Sequence, residues 1–372
     1  MTAPPSADEP LLLTPGPLTT ARATREAMLQ DFASRDGSFI AINRSVQERL
    51  LAIAKAAESH VCVPLQGSGT FAVEAMLGTF VPRVGSRVLV LVNGAYGRRM
   101  VEILDRLGRP YQVHETDETV PPTPGDVDRL LARHPDVTHV AMVQCETTTG
   151  LCNPVEAVAA VVARHRRALL LDAMSAFGAL PIDARATPFT ALAASANKCL
   201  EGVPGLAFVI GARAALQDSA GAAHAVSLDL HAQWVAMERD GQWRFTPPTH
   251  VIAALATALD LFEAAGGQPA RLARYTENCR VLVEGMRRLG FEPLLPEAVQ
   301  APIIVTFRQP PAFHFEDFYA RMRERGYVLY PGKLTRAPSF RIGCIGAIGP
   351  DDMAGMVVVA ASVLREMGLM ET

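Results

Sequence analysis

The 372-residue sequence lacks a basic block, a metal-ligand signature and an apolar run of membrane length. Its formal net charge is -3, and its cations cluster no further than pairs such as Arg98-Arg99 and Arg287-Arg288, so nucleic acid is not expected as a partner. The six cysteines, at 62, 145, 152, 199, 279 and 344, form no C-x-x-C, and the nine histidines form no H-x-x-x-H pair. Disulfides and structural zinc are therefore not expected, no metal site is assigned, and a reducing cytoplasm is the expected setting. Residues Met1 to Pro10 are polar and acidic rather than basic then apolar, which does not read as a signal peptide. No stretch of about 18 apolar residues is there to span a bilayer, so no membrane partner is expected. Repeats and low-complexity segments are also missing.

What is present is a chain that is 49% hydrophobic, enough for a large core and a second, smaller one. Apolar runs at 61–65, 87–92, 138–144, 168–172, 190–195 and 206–211 alternate with helical patterns at 70–80, 95–108, 124–134 and 155–166. That alternation predicts an α/β fold with a mostly parallel sheet covered by helices on both faces. A long apolar helix from His250 ends at Gly266-Gly267, which marks a domain boundary. Beyond it the pattern predicts a helix (270–289), strands near 302–307, a helix (315–325), strands at 327–330 and 339–343, and a last helix (351–367). The expected division is an N-terminal segment 1–19 packing near the active site, a large domain 20–266 and a small C-terminal α/β domain 267–372. The Leu13-Thr-Pro-Gly-Pro17 turn should be loop rather than core.

Two stretches carry chemistry. In Leu169-Leu-Leu-Asp172, an apolar strand ends in an aspartate, and 26 positions later Lys198 stands among small residues and glycines in Ser195-Ala-Asn-Lys-Cys-Leu-Glu-Gly. This is the layout that holds pyridoxal phosphate, with the lysine amine on the cofactor's carbonyl and the aspartate on its pyridinium nitrogen. Burial of such a lysine lowers its pKa and leaves part of the amine free near neutral pH. Upstream, Val61-Cys-Val-Pro-Leu-Gln-Gly67-Ser68-Gly69-Thr70 breaks an apolar run at two glycines and reopens as a helix. Free amides at that helix start, with the Ser68 and Thr70 hydroxyls, favour a phosphate dianion. Gly67-x-Gly69-x-x-Ala72 also fits a dinucleotide fingerprint, so an NAD-binding oxidoreductase stands as a different reading. The following strand, however, ends in Asn93-Gly94 where a ribose-binding acid is required.

Several segments together resemble the class V aminotransferases. They are Leu12 to Thr19, Gln66 to Ala75, Asn93-Gly-Ala-Tyr-Gly97, Glu146-Thr-Thr-Thr-Gly150, Asp172 to Gly178, Ser195 to Cys199, Trp243 to His250, Tyr330-Pro-Gly-Lys333 and Phe340-Arg-Ile-Gly343. The resemblance spans about Leu11 to Met367. It implies the type I aminotransferase fold, pyridoxal 5'-phosphate and a homodimer with shared active sites. Carried over position by position, it implies Lys198 and Asp172 as catalytic residues. It gives Ser68, Gly69, Thr70, Tyr96, Thr147, Met174, Asn197 and Thr249 to the cofactor, with Thr249 reaching the other subunit's site. Gly16 and Arg341 fall to the substrate. The expected reaction moves the amino group of 2-aminoethylphosphonate to pyruvate, with serine or alanine:glyoxylate chemistry as the alternative. Ser34 to Phe39 departs from the family pattern, which bears on the entrance and on donor choice.

Arg341 also has a case of its own. It lies mid-strand between Phe340 and Ile342, where a cation without an anionic partner is costly. Its planar fork suits a carboxylate or phosphonate, although a protein carboxylate would serve equally well. Cys199 and Cys344 are read as small buried residues rather than desulfurase nucleophiles, and His250 as a packing or interface residue. A cofactor-binding protein without catalysis would keep Lys198 but need no Arg341.

Overall fold

The computed structural model describes residues 6–332 and 337–370; Lys333, the last residue of the Tyr330 to Lys333 motif, lies outside them. Seven strands build the main sheet: β1 (His60–Gln66), β2 (Val88–Val92), β3 (Tyr111–Glu115), β4 (His139–Val143), β5 (Ala168–Asp172), β6 (Ala191–Ser195) and β7 (Leu206–Ala212). Their spatial order is β1-β7-β6-β5-β4-β2-β3. All neighbours from β6 to β3 run parallel, whereas β7 is antiparallel to both β1 and β6.

The continuous apolar runs follow from burial on both faces. Leu89 and Leu91 of β2, and Leu169 and Leu171 of β5, belong to one core, while Val88, Val90, Val92 and Leu170 belong to the core on the opposite face. A strand has period two, so such a strand must be apolar at every position. Edge strands escape that demand. β3 is half-exposed and carries Gln112 and Glu115, and β1 accommodates Pro64, whose missing N–H is tolerated at an edge. Parity also places Asp172 on the Leu170 side of β5, facing the same layer as the helix Gly69–Phe80.

The C-terminal part has its own three-stranded antiparallel sheet of β8 (Ile304–Arg308), β10 (Ser339–Gly343) and β9 (Tyr330–Pro331), in the order β8-β10-β9. Helices Gly267–Arg288, Phe315–Glu324 and Pro350–Glu366 enclose its core, in which Phe291, Phe307, Phe313, Phe315, Phe318 and Phe340 pack together. Gly266 and Gly267 both take positive φ, and the chain bends by 83° between Thr249–Ala264 and Gly267–Arg288.

The N-terminal segment corrects one expectation. Leu11–Leu12 pairs in parallel with Tyr327–Val328, and Leu13 is fully buried in the C-terminal aromatic core. Thr14, Pro15 and Leu18 are buried as well. The turn is indeed loop, but it is interior loop, because the backbone groups of Leu11 to Leu13 find partners in Gly326, Val328 and Gly343. Helices Gly37–Ile53 and Leu230–Asp240 were not anticipated; the first opens at Asp36, whose carboxylate accepts from the Ser38 amide. Among the described residues no single helix is long and apolar enough to cross a membrane.

Candidate active site

The carboxyl ends of β5 and β6 and the amino end of Gly69–Phe80 converge on a cavity of about 420 Å³. Gly16, Ser68, Gly69, Thr70, Tyr96, Asp172, Met174, Asn197 and Lys198 all line it, so nine expected residues from five chain segments share one wall. Volume alone does not select this place. A depression of about 560 Å³ around Gln144, Cys152 and Pro181 has neither lysine nor arginine in its lining.

The cup is built by glycines. Gly67 has φ +133° and donates its N–H to Gly205 O at 2.9 Å, turning the chain at the end of β1. A Cβ on Gly69 would lie 2.3 Å from Met174 Sδ, so only glycine lets the helix start approach the Asp172 loop. Ser68 caps the helix without spending its hydroxyl on a cap bond, and Thr70 Oγ1 accepts from Arg99 Nη1 at 3.3 Å. Ser195 lines the same cavity, is buried, and its Oγ has no hydrogen-bond partner among the described residues. A buried hydroxyl left unmatched is costly, so the cavity is shaped for a polar occupant.

Lys198 follows β6. Its ammonium donates to Pro15 O at 2.9 Å and Gly16 O at 3.0 Å, and burial, helped by the charges of Arg341 and Arg99, lowers its pKa to about 8. Gly16 has φ +109°, and a Cβ there would meet Lys198 Cδ at 2.6 Å. The expected substrate residue is thus first of all the cradle of the lysine. Asp172 Oδ1 accepts from the Met174 amide at 3.0 Å. Burial raises its pKa to about 6, Glu146 adds to the rise, and Arg99 and Lys198 oppose it. The Cys199 thiol donates to Ser175 O at 3.1 Å and burial pushes it up to about 12, which makes it an inert core group.

Three expected residues lie outside this cavity wall. Arg341 is buried; its Nε donates to Pro331 O at 3.1 Å and its Nη1 to Thr147 O at 2.9 Å. Among the described residues it has no carboxylate partner, which removes the salt-bridge reading, and burial lowers its pKa from the ordinary value. Thr147 contributes its carbonyl to that arginine rather than a side chain to the cavity. Thr249 opens the helix Thr249–Ala264 in a partly exposed position, with Oγ1 3.4 Å from His250 Nδ1, and does not face its own chain's cavity. Arg35 lies in a separate cleft with Trp243 and Arg244.

Sequence reasoning missed four contributors. Glu146 is completely buried and accepts from the amides of Tyr96 and Thr148, both at 3.1 Å, and from the Thr148 hydroxyl. It thereby holds the start of Ala95–Arg106, where Tyr96 sits, as a carboxylate at a helix amino end. Gly94 is required beside it, since a Cβ there would fall 2.3 Å from Glu146 Cδ. Ser195 and Arg99 line the cavity, and Glu201 stands behind Lys198 in a buried cluster with Arg271, Arg274 and Tyr275. Only Arg99 had a signal in the sequence: it lies three residues after Tyr96 on one helix face. The dinucleotide reading finds no acid at the end of β2, because the Asn93 amide there pairs with Asn153 at 2.7 Å. No group of three or more potential metal ligands occurs among the described residues.

Residues 34–343 match the family model of the class-V aminotransferases. The chain is 55% identical to the 2-aminoethylphosphonate–pyruvate transaminase of Pseudomonas putida strain GB-1, over 97% of this chain and 99% of that relative. It is also 55% identical to the protein of the same name from Pseudomonas aeruginosa strain UCBPP-PA14, over 97% and 98% of the two chains. Among solved structures, pyridoxamine–pyruvate aminotransferase from Mesorhizobium loti aligns with a TM-score of 0.87 at 24% identity, covering 98% of this chain and 92% of its own. Ureidoglycine–glyoxylate aminotransferase from Bacillus subtilis gives 0.88 at 19%, covering 99% and 95%. These two likenesses bear on the fold.

Proposed function

The chain belongs to the class-V aminotransferases, and from that premise we propose that it transfers the amino group of 2-aminoethylphosphonate to pyruvate, giving phosphonoacetaldehyde and L-alanine. One observation carries the chemistry. A lysine with its pKa lowered to about 8 and a buried aspartate share a cavity with an anion-binding helix start and an unmatched Ser195 hydroxyl. That donor set fits pyridoxal 5'-phosphate, with Ser68, Gly69 and Thr70 on its phosphate, Asp172 on its ring nitrogen and Tyr96 against its ring. The cofactor, when bound, supplies a carbonyl that captures the donor's amine and a ring that draws electrons from the adjacent C–H bond.

The protein's own groups do the rest. Asp172, as a carboxylate, holds a proton on the ring nitrogen. The Lys198 amine, with a substantial free fraction near neutral pH, takes the proton from the donor's amine-bearing carbon. In the second half it returns one to the carbon of pyruvate that becomes Cα of alanine. Arg341, fixed by the carbonyls of Pro331 and Thr147, presents its remaining donors to the anionic end of both substrates. Phosphonoacetaldehyde leaves before pyruvate enters, so the kinetics are ping-pong.

The choice of donor rests on the two transaminases to which the chain is 55% identical. The working form is a cytoplasmic homodimer in which Thr249 of each chain serves the other's cofactor, a reading supported by its partly exposed position away from its own cavity. The test is alanine formation from pyruvate with 2-aminoethylphosphonate or serine as donor, alongside serine and alanine assayed against glyoxylate. Fast turnover with the aminophosphonate is expected. Faster turnover of serine with glyoxylate would reject the donor while leaving the aminotransferase assignment intact.

A further inference from the structure

Arg99 lines the cavity from the helix Ala95–Arg106, one turn beyond Tyr96. Its guanidinium lies 5.0 Å from the centroid of the Tyr96 ring, and its Nη1 donates to Thr70 Oγ1 at 3.3 Å. No carboxylate pairs with it among the described residues. Its neighbour Arg98 points to the other side of the helix and pairs with Glu115. The helix therefore carries one arginine paired at the surface and one half-buried arginine on the pocket wall that, among the described residues, has no ion-pair partner and senses the Asp172 carboxylate only across the cavity.

The phosphate cup itself contains only neutral donors: amides at the start of Gly69–Phe80 and the hydroxyls of Ser68 and Thr70. Helix amides offer about half a positive charge, whereas a phosphate monoester at neutral pH carries between one and two negative ones. Lys198 cannot supply the difference, because its amine is committed to a carbonyl carbon once the cofactor is in place. Arg99 is the remaining full positive charge on this wall, and it already touches the hydroxyl at the cup's rim. A guanidinium also stays protonated at any working pH, and its fork suits two phosphate oxygens at once.

We propose that Arg99 is the counter-charge of the cofactor's phosphate, contacting it together with Thr70, and that it makes the apoenzyme select the phosphorylated cofactor over unphosphorylated pyridoxal. The inference rests on the pyridoxal phosphate reading above. It assigns Arg99 to the cofactor and leaves the anionic end of the substrate to Arg341. Thr70 accepts the arginine's N–H and keeps its own O–H to donate, so the two residues form one anion-binding unit.

The test is equilibrium dialysis of the apoenzyme against pyridoxal 5'-phosphate and against pyridoxal, for wild type, Arg99→Gln and Arg99→Lys, with circular dichroism of each apoenzyme as the folding control. Arg99→Gln should weaken pyridoxal phosphate by roughly ten- to a hundredfold, the loss expected of a charge-assisted bond. Pyridoxal should change by less than about twofold, and Arg99→Lys should recover part of the loss by keeping charge without the fork. Equal weakening of both ligands would overturn the proposal and make Arg99 a structural support of Thr70 and Tyr96. Unchanged phosphate-ester binding with a raised KM for 2-aminoethylphosphonate would overturn it in favour of a substrate contact. If wild type binds neither ligand, the cofactor reading itself falls and the proposal with it, an outcome distinct from a wild type that binds while the variants bind equally well.

Discussion

Glu201→Gln should destabilise the protein by about 3 kcal/mol and loosen the segment that carries Lys198. Glu201 lies three residues after the lysine in a left-handed conformation, φ +60°, which a non-glycine residue holds only when its surroundings fix it. The surroundings are explicit. Tyr275 donates its hydroxyl to Glu201 Oε1 at 2.5 Å, Arg271 approaches the same oxygen at 3.1 Å and Arg274 pairs with it too. Arg271 also donates to Cys199 O at 2.5 Å, and the Tyr275 hydroxyl accepts from the Gly346 amide at 3.2 Å. One carboxylate thus ties the Lys198 loop to the helix Gly267–Arg288 and to the turn after β10.

The magnitude follows from which charge is left behind. Arg274 is one-third exposed and can rehydrate, but Arg271 is 4% exposed and cannot. Removing one member of a buried charge pair costs about 3–5 kcal/mol, mostly as the penalty of the stranded partner. Glutamine keeps an acceptor for Tyr275, which points to the lower end, or roughly a hundredfold in the folded-to-unfolded ratio. Urea unfolding of the holoenzyme reads this directly: with a slope near 3 kcal/mol per molar, the midpoint falls by about 1 M. Adding Arg271→Met to Glu201→Gln should restore most of the loss, because the stranded charge is gone. A midpoint unchanged in the single variant, or a double variant less stable than the single, would refute this account of the cluster.

Capture of pyridoxal phosphate by the apoenzyme should accelerate with pH and level off just above pH 8, since an amine of pKa about 8 is roughly a tenth free at pH 7 against a few parts in ten thousand for an ordinary lysine; a rate still climbing at pH 10 would contradict the buried environment. Arg341→Lys cannot keep both carbonyl anchors and the fork, so KM for 2-aminoethylphosphonate and for pyruvate should rise by roughly ten- to a hundredfold while cofactor affinity stays as in wild type. Unchanged KM values would make that arginine structural. Gly16→Ala should slow cofactor capture, because its Cβ would displace the Lys198 side chain from a site only 2.6 Å away, and a normal capture rate would show that the lysine is not held there in solution.

Much of this fold is legible in the sequence. The parallel strands were legible because burial on both faces forces uninterrupted apolar runs, as in Leu169 to Leu171. That Lys198, Asp172 and Ser68 to Thr70 would meet at one cavity was legible because each lies at a strand end or helix start that the sequence itself marks. The antiparallel direction of β7 was not, since pairing direction depends on how the chain returns from Lys198 and not on the composition of Leu206–Ala212. The burial of Leu13 to Pro15 was hidden for the same kind of reason: the Leu13 carbonyl is satisfied by the distant Gly343 amide and the Pro15 carbonyl by a lysine 183 positions away. Glu146 and Glu201 looked like ordinary polar loop residues. Their roles come from the groups that fold brings to them, the Tyr96 amide in one case and Arg271 in the other.

The charges around the cavity explain why one site can hold an ionised aspartate and a partly neutral lysine at the same pH. Burial alone would push Asp172 towards neutrality and Lys198 towards its free amine, and the cations act on both in the catalytically useful direction. Arg99 opposes the rise of the Asp172 pKa and adds to the fall of the Lys198 pKa; Arg341 reinforces the second effect. Asp172 ends near 6 and Lys198 near 8. Between those values the carboxylate is mostly charged and the free fraction of the amine grows from about a hundredth to about a half. Below the lower value protonation of Asp172 would remove the carboxylate that the proposed reading places on the ring nitrogen. Loss of Arg99 raises the pKa of Asp172 and of Lys198 together, so its absence should move the acid limb of activity upward in pH by the same cause that weakens the phosphate. Arg341→Lys keeps the charge and should leave that limb in place. The two arginines are therefore separable by pH profile as well as by affinity.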